Sequence, residues 1–148
     1  MKKQIFLICT GIFFLASFAN NVFAHCEIPC GIYDDEMRIQ MILEHILTIE
    51  KSMNQIKELD KKEHHDSNQL IRWVMNKDLH AGKLQEIVSQ YFMTQRIKTD
   101  DKDYEKKIRL LHQMLIESMK CKQTTDLKHV NQLRQLTKEF KALYFNLK

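Results

Sequence analysis

The chain has 148 residues, with 23 Lys and Arg against 19 Asp and Glu, a formal charge of +4. That balance, with no basic stripe along any helix face, excludes a nucleic-acid-binding surface. One proline and three glycines in the whole chain point away from strand-and-turn architectures and toward helices.

The first segment reads as an export leader. Lys2 and Lys3 form a positive start, Ile5 to Phe18 is almost wholly apolar, and Val22-Phe23-Ala24 places small or branched residues before a cleavage point. The apolar run is short for a membrane span and no stop-transfer charges follow it. Residues 1–24 are therefore predicted to be a removed signal peptide. The mature chain is predicted to be exported, periplasmic or secreted, with no stable membrane association after processing. Removal leaves 124 residues, one domain, with 21 basic and 19 acidic side chains. Cys9 leaves with the leader, and Cys26, Cys30 and Cys121 remain. Cys121 follows an apolar helical stretch and is predicted to be a buried, inert thiol.

Next comes His25-Cys26-Glu27-Ile28-Pro29-Cys30-Gly31-Ile32-Tyr33, beginning at the predicted new terminus. Cleavage after Ala24 frees the α-amine of His25. This amine and the amide nitrogen of Cys26 close a five-membered chelate ring on one metal. The same amide and the Cys26 thiolate close a second. A turn at Ile28-Pro29 lets the Cys30 thiolate supply a fourth donor, and the His25 imidazole remains for an axial position. Planar coordination by two nitrogens and two sulfurs suits Ni(II) or Cu(II) better than tetrahedral Zn(II). A Cys26–Cys30 disulfide is the competing reading, since export exposes thiols to oxidation.

Four amphipathic helices follow. The first is predicted from about Asp35 to about Leu59, with Ile39, Ile42, Ile46, Ile49, Met53 and Ile56 as its seam and Asp34, Asp35 and Glu36 at its start. The second runs from about Asp66, with Gln69 three residues on, to about Gln95; Leu70, Val74, Ala81, Leu84, Val88 and Tyr91 form its seam, with Lys77 in the missing slot. Gly82 inside it suggests close packing. The third, about Asp101 to Lys120, carries Tyr104, Ile108, Leu111, Leu115 and Met119. The fourth, about Thr125 to Phe145, follows two candidate capping threonines and carries Leu127, Val130, Leu133, Leu136, Phe140 and Leu143. The predicted fold is all-α: an antiparallel four-helix bundle over residues 34–148, preceded by an irregular metal-binding hook at residues 25–33.

Other candidates point elsewhere. His64 and His65 sit in a charged loop and read as solvated. His45 and His112 lack a partner at i,i+4 and a Glu-x-x-His pattern, which argues against a di-metal site in the bundle core. No P-loop, G-x-S-x-G or H-E-x-x-H motif occurs.

His25-Cys26-x-x-Pro29-Cys30-Gly31-x-Tyr33 resembles the nickel-binding hook of the nickel superoxide dismutase family. Four helices after the hook, and Tyr91-Phe92 near the end of the second, extend the resemblance over residues 25–148. The resemblance implies an enzyme that dismutates superoxide to dioxygen and hydrogen peroxide by Ni(II)/Ni(III) cycling, with one nickel ion per subunit in a homohexamer. It implies that His25 (α-amine and imidazole), Cys26 (amide nitrogen and thiolate) and Cys30 (thiolate) are the ligands. Tyr33 would guard access, and Glu27, Tyr91 and Gln40 would support the site from around it. The chain departs from the family in places. Glu27 stands where the family carries Asp. A glutamate and an arginine that brace the axial histidine fall at Gln40 and Asn76, so neutral hydrogen bonds, or Glu44 and Lys77, are left for that task. The alternative function is an exported Ni- or Cu-binding helical protein without turnover.

Overall fold

The computed structural model describes residues 33–64 and 66–147. The leader and the hook residues His25 to Ile32 lie outside the described residues, as does His65. Among the described residues the chain is all-helical, with no strand: α1 (Asp35–Asp60), α2 (Ser67–Glu86) running into a π-helical segment (Ile87–Arg96), α3 (Tyr104–Gln123) and α4 (Leu127–Tyr144). None of these helices is long and apolar enough to cross a membrane.

Each start has a chemical cause. The Asp34 carboxylate accepts from the Met37 amide at 2.9 Å, and Asp35 and Glu36 place negative charge in the first turn of α1. Asp66 caps α2 through the Gln69 amide at 3.1 Å, the arrangement its sequence suggested. At α4 the cap is Asp126, accepting from Lys128, while the Thr124 hydroxyl accepts from the Asp126 amide before the helix begins. α3 starts three residues later than expected. Asp101 is used in the preceding turn, where it accepts from the Lys98 amide, and Asp103 takes a left-handed φ of 60°.

Ile39, Ile42, Ile46, Ile49 and Met53 of α1 are all buried, as their spacing predicts, and Ile56 at the end of the seam is half-buried. They meet Ala81, Leu84, Val88 and Phe92 from the second helix, Leu111 and Met114 from α3, and Val130, Leu133, Leu136 and Phe140 from α4. α1 and α2 run in opposite senses: Asp35 pairs with Arg96, His45 with His80, and Ser52 with Asn76. α2 and α3 do the same, through Lys77 with Cys121 and Ala81 with Ser118.

Two seams differ from the apolar pattern because polar side chains fill core positions. On α3 the buried face is Leu111, Met114, Ser118 and Cys121, with Met119 exposed. Ser118 belongs to it because its hydroxyl donates to the buried Ala81 carbonyl at 2.9 Å. On α2 the buried face begins at Lys77, which is 3 % exposed, while Val74 is exposed. The Lys77 ammonium donates to the Cys121 and Lys122 carbonyls at 2.7 and 2.6 Å and meets Asp78 at 2.8 Å. It thus satisfies acceptors that the C-terminus of α3 leaves open, where a cation is also favoured.

Gly82 marks no tight approach. A Cβ there would meet only the Lys122 Nζ, at 3.6 Å. Gly82→Ala should raise stability by about 0.5–1 kcal/mol, because alanine loses less backbone entropy on folding. Urea unfolding checks this, and a destabilised variant would mean that the helix needs glycine at this position.

Candidate metal centre

Tyr33 ends the predicted hook and Asp35 opens α1, so the chain itself joins the two. The π segment brings the rest of this region together. Tyr91 and Arg96 are five residues apart, which in an α-helix sets side chains about 140° apart around the axis. Bonding from i to i+5 places them on one face instead. That bonding is visible where the Ile97 amide donates to the Phe92 carbonyl at 2.9 Å.

Both side chains converge on Asp35. One carboxylate oxygen accepts from the Tyr91 hydroxyl and from Arg96 Nε at 2.8 Å. The other accepts from Arg96 Nη2 at 2.7 Å and from the Tyr144 hydroxyl at 2.8 Å. Four donors therefore saturate one half-buried carboxylate. Burial alone would raise its pKa, but the bonds from Arg96, Tyr91 and Tyr144 outweigh burial and hold it below the usual carboxylate range. Burial and the nearby Asp35 charge push the Tyr91 phenol up, and Tyr144 is raised to about 12 by the same causes. Both phenols are neutral donors at physiological pH.

The Tyr33 ring lies over this group. It is 4.4 Å from the Arg96 guanidinium carbon and 6.0 Å, edge to face, from the Tyr91 ring. Arg38 covers the Tyr91 ring at 5.0 Å. Tyr91 is buried and Tyr33 is exposed. The structure thus brings together Tyr33 and Tyr91, two residues the sequence singled out. Among the other sequence candidates, Gln40 is exposed and its amide donates to Glu36 at 3.0 Å. The Asn76 amide donates to Ser52, and Lys77 is committed to the end of α3, which leaves its ammonium no freedom to brace a histidine. His25, Cys26, Glu27 and Cys30 lie outside the described residues.

Sequence reading missed Asp35, Arg38, Arg96 and Tyr144 as parts of this cluster. Asp35 read only as helix-start charge, and Arg96 fell beyond the expected helix end. A π turn leaves no periodicity signal that would pair residues 91 and 96.

Cys121 is buried and unpaired with another cysteine, and burial raises its thiol to about 12, so it is unreactive as the sequence suggested. Among the described residues, no three His, Cys, Asp or Glu side chains gather to hold a metal. The donors expected of the hook, an amine, an amide nitrogen and two thiolates, would make a soft, strongly donating set of the kind that suits nickel.

A family model described as nickel-containing superoxide dismutase matches residues 20–148, covering the hook pattern and all four helices. No curated protein and no solved structure matches the chain. The match does not favour metal capture without turnover. With its hook pattern ahead of an all-helical body and a family match that spans both, the chain belongs to the nickel-containing superoxide dismutases, oxidoreductases that use nickel to act on superoxide.

Proposed function

We propose that dismutation takes place at a hook formed by residues 25–33, freed at His25 by removal of residues 1–24 and standing ahead of an antiparallel four-helix bundle of residues 34–148. The observation that carries this reading is the order of donors in His25-Cys26-x-x-Pro29-Cys30 directly behind a leader-like segment. The His25 α-amine, the Cys26 amide nitrogen and the Cys26 and Cys30 thiolates hold the nickel, and the His25 imidazole is the remaining donor. Nickel bound there supplies the one-electron exchange by which one superoxide is oxidised to dioxygen and a second is reduced. Two protons are taken up with that second superoxide, giving hydrogen peroxide.

The chain's own residues set the surroundings. Tyr33 stands three residues beyond Cys30, so the backbone keeps their α-carbons within about 11 Å. Its exposed ring suits the task of limiting access, and Arg96 and Tyr91 fix that ring from beneath. Two arginines flank the tyrosines, Arg38 over the Tyr91 ring and Arg96 against the Tyr33 ring, with the Arg96 charge paired by Asp35. Glu27 and Gln40 are the proposed polar supports of the hook.

The protein is proposed to act outside the cytoplasm, without stable membrane association, as a homohexamer. A stripe of exposed apolar side chains on α2 supports assembly: Ile71, Met75 and Leu79 recur every four residues beside Val74.

A chain carrying one extra residue before His25 tests the ligand set. The added peptide bond removes the free amine. Nickel affinity and dismutation should each fall at least about tenfold, since even outer-sphere changes at metal sites cause losses of about 10–100-fold. Unchanged activity would rule out the amine as a ligand.

A further inference from the structure

His45 on α1 and His80 on α2 stand apart from the tyrosine–arginine cluster, and dismutation at the hook does not use them. Their Nδ1 atoms are 3.1 Å apart, with ring centroids 5.0 Å apart and planes at 74°. His45 is buried and His80 half-buried, so the pair meets solvent through His80. Burial first, then the neighbouring His80 ring and Lys83, hold His45 below the usual histidine range. Burial and then Lys83 do the same for His80, while Glu44 opposes the shift at both rings. Both imidazoles are therefore neutral near pH 7 and keep lone pairs to offer.

Without a metal, one Nδ1–H donates to the other ring's lone pair. The same spacing fits a shared ion. With metal–nitrogen bonds of about 2.0–2.1 Å, two ligands at about 90–109° have nitrogens about 2.9–3.4 Å apart. An imidazole centroid lies about 1.1 Å behind its nitrogen, so two rings aimed at one such ion have centroids about 4.5–5.2 Å apart. Both observed distances fall inside these intervals. The rings also project from the interiors of two long helices, which hold them in place before any ion arrives.

We propose that His45 and His80 form a second metal site, a bis-imidazole chelate bridging α1 and α2 that takes a divalent transition-metal ion of the Ni(II), Cu(II) or Zn(II) class, with water completing its coordination. Imidazole suits these ions. The ion replaces the shared hydrogen: the donor ring keeps its proton but carries it on Nε2, so none is released. The Glu44 carboxylate favours the added charge and the Lys83 ammonium opposes it. This site is independent of the hook.

The test equilibrates nickel-loaded enzyme with micromolar free Ni(II) and measures nickel per chain and superoxide dismutation together. The expected result is two nickel ions per wild-type chain and one in His80→Ala and His45→Asn, with dismutation unchanged in both variants. Cys26→Ser should lose the other ion and the activity with it, which separates this site from the hook. The second equivalent should also raise the melting temperature of the wild-type enzyme and not of His80→Ala, because it binds only the folded pair. One nickel per wild-type chain, or two in a folded His80→Ala chain, overturns the proposal. His80 is half-exposed, so that variant decides the matter should His45→Asn fail to fold.

Discussion

Replacing Asp35 by alanine lowers the unfolding free energy by about 2–4 kcal/mol, one of the larger effects expected of any single substitution in this bundle. The change removes the shared acceptor of Arg96, Tyr91 and Tyr144 at once. It leaves a guanidinium that is 28 % exposed beside two hydroxyls without their partner. Fully buried pairs broken on one side lose more, and partial exposure of both partners keeps this value at the lower end. The first turn of α1 also loses a negative charge where the helix dipole favours one. Asp35→Asn keeps the shape and some hydrogen bonding and should lose about half as much. Urea unfolding of the three proteins measures the order.

Acid titration tests the same carboxylate independently. Its pKa is lower in the folded protein than in the unfolded chain. Its contribution is therefore complete above the unfolded value of about 3.9 and is lost as pH falls through the folded one. Wild type should lose stability relative to Asp35→Asn from about pH 4 downward. A stability gap that stays constant across that range would show that the ionised carboxylate does not anchor the cluster.

The second large effect is expected at the hook. Cys26→Ser or Cys30→Ser replaces a thiolate by a hydroxyl that remains protonated at neutral pH and is a poor partner for nickel. Either change should reduce nickel retention and dismutation by more than about 100-fold, beyond what altering an outer-sphere group does. Folding should be unaffected, because the described helices pack an apolar core of their own side chains. Nickel analysis of the purified variants, with helical circular dichroism as the control for folding, checks both halves. Full activity in Cys30→Ser would mean that Cys30 is not a ligand.

Much of the bundle was legible in the sequence because its information is local. Ile39, Ile42, Ile46, Ile49 and Met53 repeat at helical spacing, and every one is buried. Asp66 with Gln69 marked a helix start that forms as expected. Ser118 escaped notice because it enters the core to donate to a carbonyl of a neighbouring helix, as Lys77 does, and no single-helix pattern carries that requirement. The candidate site divides in the same way. The donors proposed for the hook, on His25, Cys26 and Cys30, lie within six residues of one another, so their chemistry could be written from the residues alone. Asp35 meets Arg96 and Tyr144 across the bundle, and His45 meets His80 rather than a partner one turn away. Those meetings depend on helix register and, for Arg96, on a π turn.

The central claim is that the chain beginning at His25 turns over superoxide with nickel. The most direct measurement compares dismutation by that chain, reduced and loaded with nickel, against the same chain loaded with zinc. Zinc does not change oxidation state, so it cannot exchange electrons with superoxide. The account predicts turnover with nickel and none with zinc. One tightly bound nickel per chain without turnover, or equal rates with both metals, would contradict it.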